Sequence, residues 1–514
     1  MTVDILIFTD AGTMVFCRAA GAYRVATELR KHGYTVQVVD HFLLAGLNRI
    51  QEIIDKFVGP NTLFVGFSTT FMNVSDAYRA ELSIDVDAFV LENPNDGLRD
   101  ISVPSVWSDG IPISDNDLQA IRDRILLRSS NAKLVMGGPK SVSQRQKQID
   151  TFIVGYADNT VIGYAKFLQG KNPFLQFKHI GDGRIVIDHD LDAAGFNFQN
   201  SVIHYEDSDH IRFGEVLPIE VARGCIFRCK FCGYQLNGKK KLDYIKDGET
   251  LYSELMRNYE KFGVTKYMFS DDTYNDSIEK ITYNAEVFSR LPFKIEYATY
   301  LRHDLIWRYP EMADILKDSG LKSAIFGIET LNHSAGKIIG KGLSPELTRE
   351  TLHWLREDKK WKGNVLMSSG FIIGLPTDSA ETVAKWGAEL ISPDYPLDSF
   401  MIRPLGIKQE KPRVNMSEFE LNYEKYGYYF DPAKSVSWIN EHWRFEDAVE
   451  CSNNLTKTAY KNGRNRVIGS PAMMLHNYGI TWEQAYTEPA HVLYKGVFKK
   501  TIEMAHEYYS KLLA

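Results

Sequence analysis

The segment Arg223-Gly224-Cys225-Ile226-Phe227-Arg228-Cys229-Lys230-Phe231-Cys232-Gly233-Tyr234 sets three cysteines at C-x3-C-x2-C. Three thiolates at that spacing can wrap one face of a cubane cluster, because soft sulfur ligands suit iron–sulfur centres. Three ligands on a four-iron cluster leave one iron open. An open metal position can chelate a substrate, as an open zinc position does. A structural zinc knuckle would need a fourth ligand nearby, and no Cys or His lies between Cys232 and His303. Inert buried cysteines fit less well still, since the flanking Arg, Lys and Gly are not core-like. The chain has five cysteines in 514 residues, which is no disulfide framework. The expectation is a metal site on Cys225, Cys229 and Cys232 in a reducing cytoplasm.

The motif directly follows an apolar run, Leu217–Ala222. A C-x3-C-x-aromatic-C segment at the C-terminal end of the first strand of a barrel resembles the radical S-adenosylmethionine (SAM) superfamily, over roughly residues 215–410. The resemblance implies a [4Fe–4S] cluster whose open iron is chelated by the amino and carboxylate groups of SAM. An electron from the cluster, supplied by a donor such as flavodoxin or ferredoxin, then splits the S–C5′ bond to give a 5′-deoxyadenosyl radical. It also implies that Phe231 packs near the adenine and that the backbone around Gly233 and Tyr234 contacts it. Ser270, Asp271 and Asp272 stand where the family usually has a Gly-Gly-Glu-like segment that binds the SAM amino group. An Asp carboxylate can accept from an ammonium equally well, and the same residues could cap the helix that follows. Phe326-Gly327-Ile328-Glu329-Thr330 is similar to the family's Gly-Ile-Glu segment, which makes Glu329 a SAM-pocket candidate. Phe371-Ile372-Ile373-Gly374-Leu375-Pro376-Thr377 resembles the fifth-strand segment that packs against adenine. Glu296, on the third strand, is a further candidate, and no catalytic side chain is assigned.

Strands and helices must position these residues. Apolar runs at Leu217–Ala222, Lys266–Ser270, Lys294–Thr299, Ser323–Ile328, Val365–Ile373 and Ser399–Arg403 alternate with helical patterns near 249–261, 277–290, 310–319, 345–358 and 380–391. Such repeats predict an α/β fold with a partial (β/α)6 barrel over 217–415. In residues 1–170, Ile5–Phe8, Thr35–Val39, Leu63–Phe67, Lys133–Met136 and Thr151–Val154 read as buried parallel strands between helices. They predict a Rossmann-like, doubly wound sheet, interrupted by a polar insertion at about 72–116. Residues 171–216 read as a linker, with Gly181-Asp182-Gly183 as a hairpin candidate, and 416–514 as a mostly helical segment.

The first 170 residues resemble the cobalamin (B12)-binding domain often fused before such a barrel. Gly66-Phe67-Ser68-Thr69-Thr70, Met136-Gly137-Gly138-Pro139 and Gly155-Tyr156-Ala157-Asp158-Asn159-Thr160 carry the likeness. Small residues at strand ends let a planar ligand and its tail approach the backbone. By resemblance, Ser68 and Thr69 offer hydroxyls to the tail, and Gly137 and Gly138 leave room for it. The chain lacks the Asp-x-His-x-x-Gly motif that supplies a lower histidine ligand. Asp40 and His41 are adjacent instead, and Gly155-Tyr156-Ala157-Asp158 replaces a more acidic Gly-Glu-Gly-Glu.

A net charge of −6 argues against general nucleic-acid binding. No stretch reaches the roughly 18 apolar residues of a spanning helix, and the N-terminus reads as a strand rather than a signal peptide. The resemblance implies methylation of an unactivated carbon, with methylcobalamin as methyl donor, on an organic substrate that no residue names. Rearrangement or cyclisation on the same architecture is the alternative. An iron–sulfur sensor or electron carrier that does not cleave SAM is another. Cys17 and Cys451 are expected to pack.

Overall fold

A computed structural model of the chain describes residues 2–11, 16–69, 115–138, 146–172, 174–188, 197–234, 241–407, 416–430, 437–464, 469–489, 492–493 and 497–514. Strands β1 (Ile5–Phe8), β2 (Val36–Val39), β3 (Phe64–Ser68), β4 (Lys133–Gly138) and β5 (Thr151–Val154) lie parallel in the order β2-β1-β3-β4-β5. This is the doubly wound order, with its switch point between β1 and β3. Helices Ala20–Lys31, Gly46–Phe57, Asp115–Arg128 and Thr160–Leu168 connect and cover the strands. With both faces covered, β1, β2 and β5 are buried at every residue, which is why they read as continuous apolar runs.

The stretch expected to link the two sheets instead enlarges the first. Strand β6 (Lys178–His179) turns at Gly181-Asp182-Gly183 into β7 (Ile185–Asp188), which pairs parallel to β5. Val186 and Ile187 supply the next buried rung. The charged residues around them hid that pattern in the sequence. The 72–116 insertion lies outside the described residues up to Asp115, where a helix begins.

Strands β8 (Leu217–Ile219), β9 (Lys266–Phe269), β10 (Glu296–Leu301), β11 (Leu321–Glu329), β12 (Leu366–Ile373) and β13 (Ser399–Pro404) form the second sheet, parallel and in sequence order. Helix boundaries follow the caps. Asp247 accepts from the Glu249 and Thr250 amides to start helix Gly248–Phe262. Ser344 and Pro345 start Pro345–Glu357, and Ser379 starts Ala380–Ile391. The helix expected at 310–319 is Met312–Asp318, and a further short helix, His303–Arg308, precedes it. Pro310 cannot donate inside a helix and separates them.

The C-terminal segment is mostly helical and belongs to both sheets. A small hairpin, β14 (Tyr429–Phe430) with β15 (Trp438–Ile439), precedes helix Phe445–Lys461, which packs on β13. Helix Gly469–Met474 crosses β9 to β12. Helix Val497–Leu513 returns to the first sheet, burying Ala505, Tyr508, Tyr509 and Leu512 with Phe8, Val39 and Phe42. Cys17 packs with Val216, Ala298, Met473 and Met474, where the three segments meet. Among the described residues, no helix is long and apolar enough to cross a membrane.

Packing at the start of β10 gives a direct test. Gly320 has φ +108°, and a Cβ there would sit 2.0 Å from the Ile295 carbonyl oxygen. Gly320→Ala should destabilise the protein by about 2–4 kcal/mol through backbone strain and overlap. Gly406→Ala, where a Cβ meets nothing within 4 Å, should leave the thermal midpoint in place. Equal midpoints by circular dichroism would refute this account.

Candidate functional site

Strand β8 runs into the cysteine loop through Arg223 and Gly224. Gly224 has φ +91°, a left-handed turn that a side chain would strain. Its amide donates to Asp272 Oδ2 at 3.1 Å. The Cys225 amide donates to the Tyr234 carbonyl at 2.9 Å, which closes the loop on itself. Two outside contacts pin its middle: the Lys230 amide donates to the Ile339 carbonyl, and the Phe419 amide to the Lys230 carbonyl.

Each cysteine sulfur receives one N–H donor at 3.5 Å. The Phe227 amide reaches Cys225, the Tyr234 amide Cys232, and Arg302 Nη1 Cys229. Arg302 is itself fixed by two bonds to Asp304, at 3.0 and 2.6 Å, and by the Phe227 ring 4.1 Å below its guanidinium. Burial pushes the Cys225 thiol up and the Cys232 thiol up to about 12. Uncoordinated, Cys225 and Cys232 would hold their protons, whereas coordination to a metal removes them outright. Among the described residues, no three His, Cys, Asp or Glu side chains are set to hold a single metal ion. A cubane cluster asks for something different, one thiolate on each of three irons. Three thiols with a sulfur-directed donor apiece could meet that demand.

The other sequence candidates divide. Phe231 and Gly233 are half-buried on the loop, and Tyr234 is exposed. Ser270 is exposed at the end of β9. Asp271 is committed elsewhere: it is fully buried and paired with Lys280 at 2.8 Å. Burial, helped by the Asp271 charge, pushes the Asp272 carboxyl up to about 7. Glu329 ends β11 with φ +70° and stands 4.0 Å from Lys341 Nζ. Burial raises its carboxyl too. Gly327 makes the room for both, since a Cβ there would lie 2.8 Å from Lys341 Nζ and 2.9 Å from Glu329 Oε1.

Glu296 is not brought to this mouth, and Ile373 stands at the C-terminal end of β12 with its side chain buried. Glu296 opens β10 at its N-terminal end, between Lys266 at 3.4 Å and Lys322 at 3.8 Å, and accepts from Trp482. A strand's first residue lies a strand length from the cysteines, which follow the other end. Ile373 is fully buried on the face of β12 where Phe371 stacks on Trp386, and its carbonyl accepts from the Leu405 amide. Ile372, one residue earlier, takes the opposite face.

On the first sheet, Ser68, Gly137 and Gly138 are half-buried at the ends of β3 and β4. Thr69 is fully buried, and its hydroxyl donates to the Gly137 carbonyl at 2.9 Å. It ties two strand ends together.

The structure adds residues that motif reading passed over. Tyr300, 48% exposed near the end of β10, lies within reach of the charges of Arg403, Asp272 and Glu329. Strand alternation from Ala298 to Tyr300 was the available signal. Arg223, just before the motif, bonds Asp158, in the turn after β5, at 2.9 Å and Glu220 at 2.8 Å. Nothing local in the sequence announces the Asp158 contact.

Residues 219–387 match the radical SAM superfamily. An uncharacterized methyltransferase of Pyrococcus horikoshii is 27% identical over 177 residues, 34% of this chain and 36% of that protein. The anaerobic magnesium-protoporphyrin IX monomethyl ester cyclase of Cereibacter sphaeroides is 22% identical over 276 residues, 50% of this chain and 44% of that one. The chain thus spans less than half the length of these two relatives. Among solved structures, the radical SAM methyltransferase TsrM from Kitasatospora setae, with cobalamin and a [4Fe–4S] cluster bound, superposes with a TM-score of 0.61 at 14% identity, covering 99% of this chain and 100% of that chain. The cobalamin-dependent SAM radical enzyme OxsB, with aqua-cobalamin and SAM bound, gives 0.52 at 13% identity, covering 82% and 56%. These two likenesses extend the shared fold across both sheets. Residues 219–387 therefore match the radical SAM superfamily, and the fold of both sheets is shared with these two solved structures.

Proposed function

We propose that this chain reductively cleaves SAM at a [4Fe–4S] cluster held by Cys225, Cys229 and Cys232, and uses a cobalamin to methylate an unactivated carbon of an organic substrate. The observation that carries the reading is the single N–H donor aimed at each of the three sulfurs, which suits thiolate ligands of a cluster. When bound, the cluster supplies the electron that opens the S–C5′ bond, and the corrin carries the methyl group. The protein's own part is to bind and orient. Asp272 and Glu329 are acceptors, while Lys341 and Arg403 are donors. Such a set suits a ligand bearing both an ammonium and a carboxylate, as SAM does. Arg302 holds Cys229 in place and keeps a positive charge beside the centre. Ser68, Gly137 and Gly138 lie at the carboxyl ends of β3 and β4, beside the switch point where doubly wound sheets take ligands.

The reductant is a small electron carrier such as flavodoxin or ferredoxin, and the compartment is a reducing cytoplasm, where these thiols stay available as ligands. Cyclisation is the second reading, favoured by the likeness to the Cereibacter cyclase.

Anaerobic reconstitution with iron and sulfide, then with cobalamin, tests the proposal. Iron content, the visible spectrum and 5′-deoxyadenosine formed under a low-potential reductant are measured. Retained corrin bands with deoxyadenosine formed support both cofactors. A reduced, intact cluster that yields no deoxyadenosine under any reductant would overturn the reading. Replacing Cys225, Cys229 or Cys232 by Ala should abolish cluster uptake, whereas Cys17→Ala and Cys451→Ala should keep it. Glu329→Gln should weaken SAM binding about tenfold, the scale of one charge-assisted hydrogen bond, with cluster absorbance unchanged. Unaltered SAM affinity would remove Glu329 from the pocket.

A further inference from the structure

We propose that Asp158, in the turn after β5 of the first sheet, is a positioning residue for the metal centre of the neighbouring barrel: acting through the Arg223 guanidinium, it fixes the entry to the cysteine loop and sets the reduction potential of the cluster. This rests on the cluster reading above and adds a residue from outside the barrel to it.

Arg223 lies two residues before Cys225. Its Nη1 donates to Asp158 Oδ2 at 2.9 Å, and its Nη2 to both oxygens of Glu220 at 2.8 Å. The guanidinium lies 4.7 Å from the Tyr156 ring centroid and 5.1 Å from that of Phe198. Asp158 also faces Arg24 at 3.1 Å, and Arg24 reaches Glu220 at 3.7 Å. Asp158, Arg24 and Arg223 are all buried, so water and salt screen their charges little.

Two features make this more than an anchor between sheets. The residue between Arg223 and Cys225 is Gly224, which has no side chain with which to hold its own left-handed turn. The direction in which the loop leaves β8 is therefore set by what grips Arg223 on one side and by the Gly224 amide bond to Asp272 on the other. Secondly, the pair is charged and next to the loop. A buried positive charge near a cluster favours its reduced state, and Asp158 offsets part of that charge. The two partners should move the potential in opposite directions. A contact that only held the sheets together would move both variants the same way or move neither.

The test uses the full chain, reconstituted anaerobically and titrated with a redox dye series while the reduced cluster is followed by electron paramagnetic resonance. Asp158→Asn, which leaves Arg223 less compensated, should raise the potential relative to wild type. Arg223→Gln should lower it. Both should alter the line shape of the reduced signal. Loaded variants with unshifted potentials, or shifts of the same sign, would overturn the proposal. A second measurement covers variants that do not retain a cluster. In metal-free protein, alkylation of Cys225 followed by mass spectrometry should run several-fold faster in Asp158→Asn than in wild type, with Cys451 unchanged. Equal rates at Cys225 would overturn the proposal just as firmly. If wild-type protein takes up no cluster at all, the underlying functional reading fails, and that result is distinct from either outcome for Asp158.

Discussion

Strand β8 is held at both ends by buried arginine–carboxylate pairs that reach into the first sheet's domain, and the placement of the site depends on that double grip. At its foot, Arg18 Nε meets Glu215 Oε1 at 2.7 Å with both side chains fully buried. At its head, Arg223 meets Asp158 at 2.9 Å. Burying such pairs is tolerable only when the remaining hydrogen-bonding capacity is also filled. Arg18 meets the condition: its five N–H groups go to the two Glu215 oxygens, the Tyr23 hydroxyl and the carbonyls of Asp209 and His210. Breaking one partner of such a pair leaves a buried charge alone, at about 3–5 kcal/mol. The orientation of β8 against the first sheet is therefore steeply defined.

The rest of the chain is arranged around that strand. Asn477, from the C-terminal segment, accepts from the Val216 amide at 2.8 Å and donates to the Phe16 carbonyl at 2.9 Å. One side chain thereby ties the loop after β1, the residue before β8 and the segment that crosses the barrel. The C-terminal helix then returns to the first sheet, where the Tyr508 hydroxyl donates to the Val38 carbonyl at 3.2 Å. With the foot of β8 tied in this way, the loop at its head leaves from a fixed point. Short contacts to Ile339 and Phe419 are then enough to hold the cysteines.

Much of this was legible in the sequence, and the division between what was and was not has a physical cause. Five of the seven strands of the first sheet and all six of the barrel appeared as apolar runs, because a strand buried on both faces carries its environment in its composition. The three cysteines were legible because metal ligands come in fixed types at fixed spacing. Contacts between distant segments were not. Asp158 pairs with Arg223 across 65 positions and Arg302 reaches Cys229 across 73, and neither separation leaves a local pattern. Asp271 shows the converse error. Its type suited an ammonium, but Lys280 claims it from the next helix, and adjacent strand-end carboxylates cannot be told apart until the helix is placed. Glu296 failed for a simpler reason, since it begins its strand rather than ending it.

The backbone at Glu329 shows what the site demands of the fold. A non-glycine residue at φ +70° carries about 1–3 kcal/mol of strain and persists only where its surroundings over-determine it. Here they do. The ladder between β11 and β12 shifts register between Phe326 and Glu329, so the strand is already leaving its regular path. Gly327 yields the space that the Glu329 carboxylate and the Lys341 ammonium occupy. At Gly224 the same left-handed turn is reached without a side-chain penalty, because that position needs only to redirect the chain. At position 329 glycine would relieve the strain and remove the carboxylate. A strained acid beside a glycine that makes room for it is the pattern expected where the side chain, rather than the turn, is what the position supplies.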